Sequence, residues 1–223
     1  MKILHNILAL LTLAMIFTAC NSGAPEGEKV EAGQKVDKAE NATASAESFA
    51  VDTEISQINW VGAKLIGGKH TGLMKLKSGN IDVADGNITG GKFTVDMASI
   101  TDTDLSPDDG KADLEGHLKS DDFFDVANYP EAIFEITSVE AMGDNPDATH
   151  KITGNFTLKG VTKSVSIPAR VMVSNGQLAA KTPQFVIDRT QWGVKYGSGA
   201  LGLAQDEIIN DEVGLQLVIK ATK

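Results

Sequence analysis

Between residues 151 and 160 the apolar side chains, Ile152, Phe156 and Leu158, all fall on even positions, and the odd positions carry the polar Thr153, Asn155, Thr157 and Lys159. A period of two sends one face of an extended chain to an interior and the other to water, so this run is a half-buried strand. The next run repeats it: Val161, Val165, Ile167, Ala169, Val171 and Val173 share a face interrupted by Lys163, with Thr162, Ser164, Ser166 and Arg170 opposite. Asn175-Gly176 then supplies the positive φ of a tight hairpin turn, and Leu178, Ala180, Phe185 and Ile187 continue the pattern. Similar runs cover about 55–66, 71–83, 87–99, 131–142 and 207–221, which brings the count to eight strands. One stretch breaks the period: Lys111 to Lys119 sets Leu114 and Leu118 four apart, as on one face of a helix, with Asp108 or Asp109 available as N-cap. The expectation is an all-β fold, eight antiparallel strands with one short inserted helix. Such strands close most simply into a barrel, which abolishes edges and leaves an interior wide enough for side chains or one ligand. A two-sheet sandwich is the alternative.

The N-terminal region follows neither pattern. Lys2 precedes an apolar run from Ile7 to Phe17, broken only by Thr12, and the small Thr18 and Ala19 lead to Cys20, the only cysteine. A membrane-spanning helix needs about 20 apolar residues, so residues 1–19 read as a cleaved export signal. Phe17-Thr18-Ala19-Cys20 resembles the bacterial lipoprotein signal, in which the cysteine becomes the lipidated first residue; Phe17 stands where an aliphatic residue is usual. A lone cysteine in an exported chain has no intramolecular disulfide partner, which favours a role as anchor. Residues 21–48 contain no aromatic, Leu, Ile or Met, and 20–48 is expected to be the lipidated cysteine followed by a disordered tether that lets the domain stand clear of the bilayer. The folded domain is then 49–223, with Phe49 its first core residue.

Charge narrows the function classes. With 30 acidic and 20 basic side chains the net charge is −10, and Arg170 and Arg189 are the only arginines, so nucleic acid is not an expected partner. Asp102, Asp104, Ser106, Asp108 and Asp113 imitate the spacing of a calcium loop, but Pro107 occupies the place of the required glycine, and the stretch reads as a solvated acidic loop. Gly197-Ser198-Gly199-Ala200-Leu201-Gly202 fits a dinucleotide fingerprint without the surrounding strand-helix-strand unit, and reads as a flexible loop. His70, His117 and His150 lie on different elements without ligand spacing, so no metal is expected, nor any other cofactor. The nucleophile-elbow pattern is missing and nothing assembles a catalytic triad, so an enzyme is not expected. Asn41, Asn87 and Asn155 open glycosylation-like triplets, read as chance in a bacterial chain.

Longer motifs are more specific. Trp60-Val61-Gly62-Ala63-Lys64, Lys69-His70-Thr71-Gly72, Gly90 to Ile100, His117 to Val126, Tyr129-Pro130-Glu131-Ala132-Ile133-Phe134, Gly154 to Lys163 and Ile187 to Gly193 follow one another in an order that resembles the YceI-like family. Trp192 departs from it, standing where Phe is more usual. The resemblance covers 49 to 223 and implies an exported, lipocalin-like antiparallel barrel whose interior holds a long isoprenoid chain in some members. The strand alternation offers Phe93, Val95, Met97, Phe134, Ile136, Phe156, Leu158, Phe185 and Ile187 as lining, each equally readable as plain core. His117 is either paired with Asp113 or Asp121 or available to a ligand head group. The expected function is an envelope lipoprotein, periplasmic or on the outer-membrane surface, that binds, sequesters or carries a polyisoprenoid, quinone-like or other amphiphilic lipid. Its membrane contact would be the acyl anchor on Cys20. The alternative is a non-enzymatic stress-response or interaction protein with a filled barrel, working through its outer surface or the acidic loop 101–110.

Overall fold

The computed structural model describes residues 24–37, 46–143 and 145–223. The signal 1–19 and the lipidation candidate Cys20 lie outside them. In chain order the elements are β1 (Glu28–Lys29), β2 (Glu47–Val51), β3 (Gln57–Ala63), β4 (Lys69–Ala84), β5 (Asn87–Asp102), α1 (Lys111–Lys119), β6 (Glu131–Ala141), β7 (His150–Leu158), β8 (Val161–Ser174), β9 (Gln177–Lys181), β10 (Phe185–Asp188) and β11 (Glu212–Thr222).

Antiparallel pairing runs β3-β4-β5-β6-β7-β8-β9-β11 and returns from β11 to β3, a closed ring of eight strands. The protein is therefore all-β, an eight-stranded lipocalin-like barrel with one α-helix among the described residues. Tight two-residue turns make three of its hairpins. Asp85-Gly86 (φ 51° and 78°), Lys159-Gly160 (47° and 75°) and Asn175-Gly176 (51° and 73°) all hold positive φ at both central positions, the twist that matches paired strands.

Two long strands are made in pieces. β2 lies beside the far half of β4, at Phe49↔Ile81, while β3 lies beside its near half, and both also pair with β11. The run expected at 178–187 divides into β9 and β10 because Pro183 has no N–H for the ladder; Thr182 bridges the break, donating N–H to Leu217 and accepting Leu217 N–H on Oγ1 at 2.9 Å.

The tether expectation is corrected for residues 24–37. β1 pairs in parallel with β10 at Glu28↔Phe185, Val30 donates to Val186 O at 2.8 Å, and Gly33 exchanges main-chain bonds with Ser164 of β8 at 2.8 and 3.1 Å. Asn155 completes the attachment, its side-chain oxygen accepting Val36 N–H at 3.0 Å and its amide donating to Val36 O at 2.7 Å. Val30 is buried in the main core, so the core begins before Phe49. The physical reason is local. Among the described residues β10 and the first half of β8 do not pair with each other, and their open edges offer main-chain partners that a polar segment can take up with one valine as anchor.

The helix spans the expected residues, but its cap does not. Its N-cap is Gly110 in the left-handed region at φ 88°, without a side-chain bond, because Pro107 to Asp109 form a 3-10 turn closed by Ser106 Oγ donating to Asp109 at 2.6 Å.

Candidate functional site

The barrel is solid at one end and hollow at the other. Ile81, Ile88, Ile136, Ala169 and Ile219 are all buried and surround, with Phe93, a void of only about 50 Å³. Toward the other end the strands enclose a cavity of about 1180 Å³, whose wall includes Ile58 and Trp60 of β3, Val95 and Met97 of β5, Phe134 of β6, Phe156 and Leu158 of β7, Val165 and Ile167 of β8, Phe185 and Ile187 of β10 and Val213, Leu215 and Leu217 of β11. The last three are only half-buried although they lie on the inner face, because they border open space rather than other side chains. Of the residues put forward from the alternation, Val95, Met97, Phe134, Phe156, Leu158, Phe185 and Ile187 line this cavity, whereas Phe93 and Ile136 pack the solid end.

The mouth is built by α1 and three irregular segments. Leu114 and Leu118 of α1 reach the cavity, as their spacing of four requires. Glu115 fastens the helix to β5, accepting Thr101 Oγ1 at 2.6 Å and Asp102 N–H at 2.9 Å. Those hydrogen bonds, Thr101's first, hold the Glu115 carboxyl below its ordinary value. Lys159, in the β7-β8 turn, donates to Asp121 O at 2.9 Å and Phe123 O at 2.6 Å, fixing the segment after the helix.

His117 lines the cavity at the end of this helix. Its ring stands edge-on to Phe123 at 5.0 Å and to Tyr196 at 4.7 Å, and its Nε2 lies 3.3 Å from Asp122. The acidic neighbour is thus Asp122, not Asp113 or Asp121, because the chain leaves the helix at Ser120 and brings the following turn back under the ring.

Arg189 and the loop after it were not foreseen as part of this site. Arg189 is 2% exposed, and its guanidinium donates to Val194 O at 2.8 Å, Asn210 O at 3.1 Å and Ile209 O at 3.1 Å while passing over the Phe123 ring. Burial pushes its pKa down, opposed by the charges of Asp211 and Asp188. With its donors committed to carbonyls, Arg189 holds both ends of the loop 190–210 in place. The glycine-rich stretch 197–202 is a turn on this rim, with Ser198 buried and donating to Asp211 at 3.0 Å. Trp192, wholly buried, packs against Phe156 at 5.3 Å and donates its indole N–H to Phe156 O at 3.0 Å. Tyr196, Ile66 and Leu201 line the opening yet are 44%, 54% and 58% exposed, which gives the mouth an apolar rim. Inside, Trp60 packs over Gly72, where a β-carbon would come within 2.4 Å of the indole; the Trp60 indole N–H is buried without a partner among the described residues.

At the far side of the mouth the acidic loop is solvent-exposed at Asp104, Ser106, Asp108 and Asp109, as expected, and the exception is Asp102, wholly buried at the end of β5. The antiparallel register of β4 and β5, Gly72↔Asp102, carries His70 to within 3.0 Å of Asp104. Burial pushes the Asp104 carboxyl up, but the Thr71 N–H and the His70 ring outweigh it and leave the group below its ordinary value.

Residues 49–221 match the family described as the YceI-like domain. The chain belongs to the YceI-like family. A UPF0312 protein of Pseudomonas paraeruginosa is 43% identical over 79 residues, and the YceI protein of Salmonella arizonae 42% over 79 residues. These matches span 35% of this chain and 39% of each relative, well under half the length of the curated relatives. Burkholderia cenocepacia BcnA, at 23% identity, aligns over 77% of this chain and 99% of its own with a TM-score of 0.62. A polyisoprenoid-binding domain from Saccharophagus degradans, at 17% identity, aligns over 78% of this chain and 97% of its own with a TM-score of 0.59. At these identities the two structures establish the shared YceI-like fold.

Proposed function

We propose that this YceI-like protein is a bacterial envelope lipoprotein that binds and carries a long-chain apolar ligand, a polyisoprenoid or quinone-like lipid, inside the hollow end of its barrel. The observation that carries the reading is the 1180 Å³ cavity with its apolar wall and apolar rim, larger than the roughly 300–1,000 Å³ usual for small-molecule sites. Desolvation is the driving force: hiding about 300 Å² of hydrocarbon at about 25 cal/mol per Å² contributes roughly 7 kcal/mol before ordering costs. The polyisoprenoid-binding activity named for the Saccharophagus degradans domain agrees with this chemistry. A filled-barrel interaction protein is less well supported, because such a protein would continue the packing of the Ile136 end through the whole interior. The test is uptake of a fluorescent isoprenoid analogue by the purified protein. Saturable binding near one per chain is expected, and failure to take up the analogue would favour the interaction protein.

In this reading Cys20 carries the acyl anchor. Pro25 is already buried against the barrel, so only three residues separate Cys20 from Ala24, and the four Cα–Cα steps between them span at most about 14 Å. The barrel is then held close to the bilayer rather than clear of it, which suits extraction of a lipid through an apolar mouth. Cys20→Ser is expected to move the protein from the membrane to the soluble fraction; a mutant that stays with the membrane in high salt would contradict the anchor.

A further inference from the structure

Asp102 places a carboxylate in the interior with only half of it satisfied. Its Oδ1 accepts the N–H groups of Asp104 at 3.0 Å and Leu105 at 2.7 Å, while its Oδ2 is buried with no hydrogen-bond partner among the described residues. A buried, charged oxygen without a partner is costly and uncommon. Asp104 is held in the same manner: Oδ1 accepts Thr71 N–H at 2.5 Å and Thr71 Oγ1 at 3.2 Å, which turns its Oδ2 toward His70. His70 Nδ1 stands 3.0 Å from Asp104 Oδ2 and 3.8 Å from Asp102 Oδ2, and the donor atoms of the three residues all lie within 4.8 Å of one another.

We propose that His70 Nδ1, Asp102 Oδ2 and Asp104 Oδ2 bind a divalent transition cation of the zinc or manganese class. Donors about 2.1 Å from one ion and 3.0 or 3.8 Å apart subtend angles of about 90° and 130° at it, within the range of four- or five-coordinate zinc. An imidazole nitrogen beside two carboxylates suits zinc or manganese better than calcium or magnesium, which take oxygen alone. A protonated His70 would pair with Asp104 and stand 3.8 Å from Asp102 Oδ2, within ion-pair range but too far to hydrogen-bond it; a metal ion would bond all three. The main-chain bonds to each Oδ1 orient the free oxygens as outer-shell partners do in metal sites. The His70 side chain is 40% exposed and lines the cavity, so an ion has a route in and would sit at the mouth, tying β4 to the end of β5.

The site does not depend on the lipid-carrier reading, and it is tested without lipid. The full chain, stripped with a chelator, is titrated with Zn²⁺ by calorimetry and with Co²⁺ by visible absorption. One ion per chain is expected, with ligand-field bands for Co²⁺ and a thermal midpoint that rises with Zn²⁺ concentration. His70→Ala, at a partly exposed position that leaves the core intact, and Asp104→Asn should each weaken binding at least tenfold, while His150→Ala, on β7, should not. Absence of stoichiometric binding, or binding of unchanged strength in His70→Ala, would overturn the proposal.

Discussion

Glu115 joins the mouth helix to the barrel through one carboxylate oxygen, and its charge makes that joint sensitive to pH. Because the Thr101 hydroxyl and the Asp102 N–H lower its folded pKa below the ordinary 4.5, the joint adds stability above that value and loses it as pH falls through the lowered one. Glu115→Gln keeps an acceptor for both donors without the titration. The mutant is therefore expected to show a smaller fall in thermal midpoint between pH 6 and pH 3.5 than the wild type; equal falls would mean that Glu115 is not a source of acid sensitivity. At this scale the sequence was partly legible. Strand alternation identified which side chains point inward, since period two fixes the face, and so Val95, Phe156 and Ile187 were found. Alternation carries no information about position along the barrel axis, so Phe93 and Ile136 at the solid end looked identical to them. The His70, Asp102 and Asp104 cluster was hidden for a related reason: the residues meet only through the register of β4 with β5, more than thirty positions apart in sequence.

The eight ring strands and α1 follow from periodicity and from turn chemistry such as Asn175-Gly176. What was missed at the element scale is the segment 24–37 and the short strand β2 (Glu47–Val51). Composition is an average, and a polar average over residues 21–48 concealed a short stretch whose binding is made of main-chain bonds plus Val30. Val30→Asp should cost about 2 kcal/mol or more from lost burial, with a thermal midpoint lower by about 4–8 °C for a domain of this size. An unchanged midpoint would mean that the segment does not pack across the open edges of β8 and β10. The irregular loop 190–210 was illegible for a different reason. Its conformation is set by Arg189 bonding to carbonyls some 5 to 21 positions away, an arrangement without any local signature.

The whole molecule has one closed end and one hollow end, and this division predicts unequal responses to the same substitution. Ile136→Asp buries a carboxylate among packed side chains, a cost of several kcal/mol against a typical stability of about 5–15 kcal/mol, and should leave little folded protein. Leu215→Asp faces the cavity, where water can enter to solvate the charge, so the protein should fold with a modest loss of stability and no longer hold an apolar ligand. Equal damage from both would mean that the cavity is not a usable space. Occupancy of the hollow end by a long apolar chain can be read by native mass spectrometry of the full chain purified from bacterial membranes, with lipid extraction of the same sample. One co-purifying apolar-chain molecule per protein is expected in the wild type and none in Leu215→Asp. Wild-type protein free of lipid that also fails to take up an isoprenoid analogue would contradict it.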